Sequence, residues 1–118
     1  MPAESAVLVC FFEKHLERLI QVNLERQGYA VTTVLDGHVA VNMLNAKKFG
    51  AAILHTQSLG LGGYVVLEHI RLQAELSHMK VVLFCSSDQE LAEVSSRKHK
   101  ADCYMVSPFN PLDLLRWM

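Results

Sequence analysis

The sequence predicts a single α/β domain, a doubly wound five-stranded parallel sheet with helices on both faces. Three observations carry that reading. Five short, continuous apolar runs recur along the 118 residues, rich in Val, Ile and Leu. Such runs suit strands buried on both faces. After each run the apolar residues change to helical spacing, and no repeat, linker or low-complexity tract interrupts the alternation. Strand–helix alternation of this kind builds a parallel sheet, because each crossover helix returns the chain to the same end of the sheet, and right-handed crossovers limit the topologies.

The first run is Ala6-Val7-Leu8-Val9-Cys10-Phe11. Leu16, Leu19, Ile20 and Leu24 then fall on one side of a helix, with Glu17, Arg18, Glu25 and Arg26 on the other. Gly28 suits a left-handed cap after it. Tyr29 to Val34 forms the second strand, and Asp36-Gly37 turns the chain. Asp36 caps a helix that packs Val39, Ala40, Met43 and Leu44. Ala51 to His55 is the third strand, and Gly60-Leu61-Gly62-Gly63 opens a helix carrying Val66, Leu67 and Ile70. Val81 to Cys85 is the fourth. Ser86-Ser87-Asp88 supplies caps for a helix through Leu91 and Val94 that ends in Arg97-Lys98-His99-Lys100. Cys103 to Val106 is the fifth strand, broken by Pro108. Asn110 starts a last helix holding Leu112, Leu114, Leu115 and Trp117.

Composition narrows the function classes. Hydrophobic residues make up 51% and charged residues 19%, enough for a core and against disorder. A net charge of -1 gives no global field toward nucleic acid or an anionic membrane, so direct nucleic-acid binding is not expected. No apolar run approaches the ~20 residues that span a bilayer. Met1 to Ser5 lacks the basic region and apolar stretch of a signal peptide. Three cysteines without CxxC spacing favour reduced thiols in a cytoplasmic setting.

In open parallel sheets, sites lie beyond the carboxyl ends of the strands. Those ends read Phe11, Phe12, His55, Cys85 and Ser107. The same junctions carry a family likeness: Val7-Leu8-Val9 followed by Glu13, then Glu25-Arg26-Gln27-Gly28-Tyr29, Asp36-Gly37, Leu61-Gly62-Gly63, Ala101-Asp102-Cys103-Tyr104 and Pro108-Phe109. In that order and spacing, the chain resembles receiver (response-regulator) domains from Val7 to its last residue. The resemblance implies a receiver/flavodoxin-like sheet of strand order 2-1-3-4-5 and a cis bond before Pro108. It also implies a place in bacterial two-component signalling or transcription control.

The departures from the family fall on its reactive positions. Where receivers hold Mg²⁺ with two acids, this chain has Phe11 and Phe12. His55 stands at the phosphorylated aspartate, Cys85 at the Thr or Ser of the fourth strand, and Ser107 at the lysine. Acyl phosphate chemistry needs a carboxylate nucleophile, a divalent metal and a fixed cation. Mg²⁺ requires hard oxygen ligands, and Glu13 alone is a poor substitute for a pair. No Asp or Glu lies between Gly50 and Tyr64, so a shift of register restores nothing. A collapsed, partly dry pocket with Phe11 or Phe12 near His55 is expected, and no catalytic, cofactor-binding or metal site.

Other readings of these residues are blander. His55 and Cys85 are soft-metal ligand types, but zinc takes four ligands, or three and water. Cys85 as a nucleophile would need His55 in contact and an oxyanion site; a buried Cys more often packs as a small hydrophobe. The glycine loop lacks the Lys of a phosphate cradle. The Arg97–Lys100 cluster suits a helix C-terminus. Tyr104 is either a switching aromatic or a static one.

The expected function is that of a degenerate receiver, a pseudo-receiver, acting through protein–protein contact without phosphorylation. The expected working surface is the last helix pair and the strand between them, with Lys98, Lys100, Tyr104, Arg116 and Trp117. Its partners would be another protein, a downstream output domain or a second copy in a weak homodimer. The last helix is so short that an output module after Met118 is expected. The alternative class is a small-molecule or metal sensor using the altered pocket.

Overall fold

The computed structural model describes residues 5–118; the segment read as unlike a signal peptide lies almost wholly outside them. Five strands, β1 (Ala6–Cys10), β2 (Ala30–Val34), β3 (Ala51–His55), β4 (Lys80–Cys85) and β5 (Cys103–Val106), form one parallel sheet of order β2-β1-β3-β4-β5. Five helices alternate with them: α1 (Lys14–Arg26), α2 (Gly37–Ala46), α3 (Gly63–Leu72), α4 (Asp88–Ser95) and α5 (Pro111–Trp117). This is the architecture and strand order expected from the sequence. Among the described residues no helix is long and apolar enough to cross a membrane.

The sheet divides the core into two layers. On one face Val7, Val9, Ile53, Val82 and Phe84 meet Ile20 and Leu24 of α1 and Leu114 of α5. On the other, Leu8, Leu54, Val81 and Leu83 meet Ala40 and Leu44 of α2, Val66, Leu67 and Ile70 of α3, and Val94 of α4. Side chains alternate between layers because a strand has a two-residue period. Full burial of one such Val, Leu or Ile contributes about 1.5–3 kcal/mol. The central strands β1 and β3 are almost wholly buried, whereas β2 and β5 are half-exposed along their length, as edge strands should be.

The helix ends follow their capping residues. Glu13, Asp36, Ser87 and Asn110 each accept a backbone N–H of the first turn with the side chain. Gly28 takes φ +92 after α1, a left-handed value that a side chain resists. Five expected boundaries move. Phe11 lies one residue past β1, Tyr29 precedes β2, β4 begins at Lys80 rather than Val81, Asn110 caps α5 from outside, and α4 ends at Ser95 rather than running to Lys100. The basic residues 97–100 therefore lie in the loop before β5. Glu17, assigned to the polar side of α1, is buried instead.

The glycine loop is a packing device. Gly60 has φ +70, and a Cβ on Gly63 would stand 2.5 Å from the His55 carbonyl oxygen and 2.9 Å from Leu83 Cδ1. Only glycine lets the start of α3 approach the end of β3 this closely. Gly63→Ala should therefore lower the unfolding free energy by about 1–3 kcal/mol through overpacking, read from urea denaturation.

Candidate functional site

The register brings the ends of the central strands level: Cys10 pairs with Leu54, His55 with Phe84, and Cys85 with Val106. Beyond β1 the chain must leave the sheet, and Phe11 does so fully buried. Its N–H is shared between the Val34 carbonyl at 3.3 Å and Glu17 Oε2 at 3.2 Å. Its ring meets His55 and Phe84, each at 5.1 Å between centroids and near edge-to-face. Phe109 lies 6.3 Å from Phe11 and 4.5 Å from Phe84. Phe12 stacks over the outside, 4.5 Å from the His55 ring, and stays 37% exposed. Aromatic pairs in these geometries gain about 0.5–1.5 kcal/mol beyond their buried area.

His55 is thus held between Phe11 and Phe12, the arrangement expected from the sequence with both rings taking part. Its Nδ1 accepts the Gln57 N–H at 3.0 Å, which puts the ring proton on Nε2. Nε2 has no hydrogen-bond partner among the described residues, and neither has the buried Oγ of Ser107. Burial pushes the His55 pKa down to about 4, against a smaller opposing pull from the Glu90 carboxylate. The imidazole is neutral at physiological pH.

The remaining positions separate by layer. Cys85 packs with the α2–α4 helices, on the other side of the sheet from Phe11. It makes no hydrogen bond to His55, so the metal or nucleophile pairing considered for the two is not formed. Burial, with a smaller contribution from Glu90, pushes its thiol up to about 11; Cys10 is raised to about 11 mainly by burial. Neither is a thiolate at neutral pH. Among the described residues no group of three or more His, Cys, Asp or Glu is placed to hold a metal ion. Ser107 N donates to the Cys85 carbonyl at 2.9 Å, and the Ser107–Pro108 bond is cis, as the resemblance implied.

These residues do not fit Mg²⁺. Phe11 and Phe12 offer no oxygen. Glu13 accepts the His15 and Leu16 N–H groups at 2.8 and 2.9 Å as the cap of α1, and those bonds hold its carboxyl below the usual range. Neutral His55 presents one donor and one occupied acceptor, in place of a hard anionic oxygen.

Three charged residues matter that sequence reasoning missed. Glu90 accepts from Thr56 Oγ1, from Gln57 Nε2 at 2.7 Å and from Ser86 N at 2.8 Å. Burial raises its pKa, but these bonds together bring it below the ordinary value. The pattern Ser87-x-x-Glu90 is a capping box, so this one was legible. Arg71 donates to the carbonyls of Ser77, Met79 and Lys100 and to Asp102 Oδ2, at 2.7–3.1 Å, closing the bottom of the sheet. Glu17 gave no signal, because its burial depends on where Phe11 exits β1.

The expected working surface is more tied down than the sequence suggested. Tyr104 packs against the α2–α4 layer, and its hydroxyl accepts the Ala101 N–H at 3.0 Å. Lys100 Nζ turns back to the Ser95 carbonyl at the end of α4, while Lys98 makes no hydrogen bond or ion pair among the described residues. Arg116 lies 3.7 Å from Asp113, both exposed. Trp117 is half-buried in the α1/α5 layer with Lys80 over its ring at 5.4 Å. Leu114 is buried, Leu115 half-buried and Leu112 exposed, so the three leucines face different ways.

No family model matches the chain. It is 31% identical over 108 residues to the alkaline phosphatase synthesis transcriptional regulatory protein PhoP of Bacillus subtilis, covering 92% of this chain and 44% of that protein. The chain spans less than half the length of the curated relatives it matches. Among solved structures it is similar to the response regulator TrrA of Thermotoga maritima in complex with Mg(2+)-BeF (TM-score 0.83, 24% identity, 95% of this chain and 94% of that one). It is also similar to the chemotaxis response regulator CheY4 of Vibrio cholerae (TM-score 0.82, 22% identity, 95% and 93%). The fold is the receiver fold.

Buried His55 and Glu17 make stability depend on pH in opposite senses. The His55 pKa is about 4 folded against 6.5 unfolded, so the folded state binds fewer protons and its contribution is lost as pH falls from 6.5 toward 4. Glu17 is raised from 4.5 to about 7 by burial, less a smaller effect of the Phe11 N–H bond. Its contribution is present below 4.5 and is lost as pH rises through 7. In the native chain the two nearly cancel between pH 6.5 and 4.5. Glu17→Gln should unmask the histidine: its unfolding free energy should drop by about 3 kcal/mol between pH 7 and pH 4, relative to Glu17→Gln/His55→Gln, in denaturant melts across pH.

Proposed function

We propose that this chain is a pseudo-receiver, a receiver-type domain that signals by protein contact and does not take up a phosphoryl group. The observation that carries this reading is the neutral, fully buried His55 clasped between Phe11 and Phe12, with no carboxylate in the ring cluster. Phosphoryl transfer would need an anionic oxygen nucleophile, a metal and a cation at that place. The rings instead fill it, and their contacts hold the ends of β1, β3 and β4 in one arrangement. The setting that fits is cytoplasmic two-component signalling or transcription control, in keeping with the regulators the chain is similar to. The domain then has no enzymatic role.

The output surface in this reading is the α4–β5–α5 face. Its partner is a second copy, an output domain of the parent protein or another protein. What supports it is the surface itself: Leu112 of α5 is exposed, Trp117 is half-buried, and Lys98 at the rim has no ion pair among the described residues.

Two measurements test the proposal. Incubation with acetyl phosphate and Mg²⁺ should leave the intact mass unchanged; a stoichiometric phosphoryl adduct, on His55 or elsewhere, would overturn phosphorylation independence. Sedimentation of the chain across concentration should show weak self-association that Trp117→Ala reduces by about tenfold or more in affinity. A monomer at every concentration, alike in both proteins, would remove the homodimer and leave the other partners.

A further inference from the structure

The second edge of the sheet is β2, which pairs only with β1. The N–H of Phe11 reaches the Val34 carbonyl, so the backbone groups of Val34 point into the sheet. With a two-residue period, Thr32 and Ala30 do the same, and the N–H and C=O of Val31 and Thr33 point outward. Among the described residues no other strand pairs with them. An unpaired strand edge is a template for another strand unless something covers it.

Beside the end of this edge runs a groove of ≈ 480 Å³, the walls of which are α1 and α2. Lys14, Glu17 and Arg18 line one side, Thr33 and Leu35 the floor, and Val39 the other side. Val39 is 44% exposed, an apolar wall open to solvent. Lys14 and Arg18 lie one turn apart on α1, and neither is in an ion pair among the described residues. The carboxylate of Asp36 is already engaged by the His38 N–H as the cap of α2. Glu17 is 6% exposed, and its Oε2 is engaged by the Phe11 N–H. The groove thus combines free backbone groups, apolar walls and two cations that are unpaired among the described residues.

We propose that this groove docks an extended, acidic peptide segment of a partner protein, which adds to β2 as a further strand with its carboxylates beside Lys14 and Arg18. Strand addition satisfies the outward groups of Val31 and Thr33. Alternate apolar side chains of the peptide cover Leu35 and Val39. The two cations select acidic over basic segments. This edge is opposite the α4–β5–α5 face and does not rest on that reading, so the domain could hold two partners at once.

The test uses the isotope-labelled chain and three synthetic octapeptides: alternating Val and Asp, alternating Val and Lys, and the Val–Asp peptide N-methylated on alternate residues, in both registers. The Val–Asp peptide should shift the amide resonances of Val31 and Thr33 and bind about tenfold or more tightly than Val–Lys. N-methylation in one register should remove binding, because it deletes the ladder N–H groups while keeping the charges. K14E/R18E, which alters two exposed side chains, should reverse the charge preference with an unchanged melting temperature. Absence of Val–Asp binding, shifts confined to other elements, or equal binding of both methylated registers would overturn strand addition. Equal binding of Val–Asp and Val–Lys would overturn the acidic specificity.

Discussion

Phe11 occupies the point where β1 leaves the sheet, and its two halves bind different parts of the molecule. The backbone N–H is divided between the edge strand, through Val34, and α1, through Glu17. The ring sits among His55, Phe84 and Phe109, which belong to the ends of β3, β4 and the loop after β5. One residue therefore couples four strand ends and a helix. A carboxylate at this position would have to stay solvated or hold a cation, since several acids held together repel. A ring there gains from being buried, and the neighbouring groups become neutral or hydrogen-bonded in response.

The charge distribution around the site follows from that exchange. His55 is enclosed by apolar rings and is neutral, with its proton on the nitrogen that lacks a partner. The acids that remain are used for structure. Glu13 caps α1, Glu17 anchors Phe11, and Glu90 ties the start of α4 to Thr56 and Gln57 after β3. The Glu90 tie joins the loop after β3 to the loop after β4 by direct contact, and so fixes the relation between those loops without any added ligand.

The sheet and most of the site were legible in the sequence because they depend on local pattern. Continuous apolar runs gave the central strands, and Asp36, Ser87 and Asn110 marked helix starts through short-range capping. The closeness of the Phe11–Phe12 pair to His55 followed from where parallel strands end. What could not be read depended on side-chain direction and on long-range contact. Glu17 reads as a polar-face residue by helical period, and only the exit path of Phe11 turns it inward. Arg71 reads as surface charge, yet its four acceptors come from two separate loops, Ser77 and Met79 before β4 and Lys100 and Asp102 before β5. Cys85 and His55 share strand ends but not a layer, a distinction set by the phase of each strand's two-residue alternation.

The two sheet edges differ in how they are protected, and this bears on what each could present to a partner. Near β5, Tyr104 takes up the Ala101 N–H, and Lys100 and Arg71 fasten the preceding loop. That side is braced, which suits a surface presenting a fixed shape. Along β2 the outward groups of Val31 and Thr33 meet no strand among the described residues, and the adjoining helix turn offers cations that are unpaired among those residues. Receiving a chemical group requires a reactive cavity. Receiving a polypeptide requires only unpaired backbone, apolar walls and a charge to fix its register, and β2 with α1 supplies those.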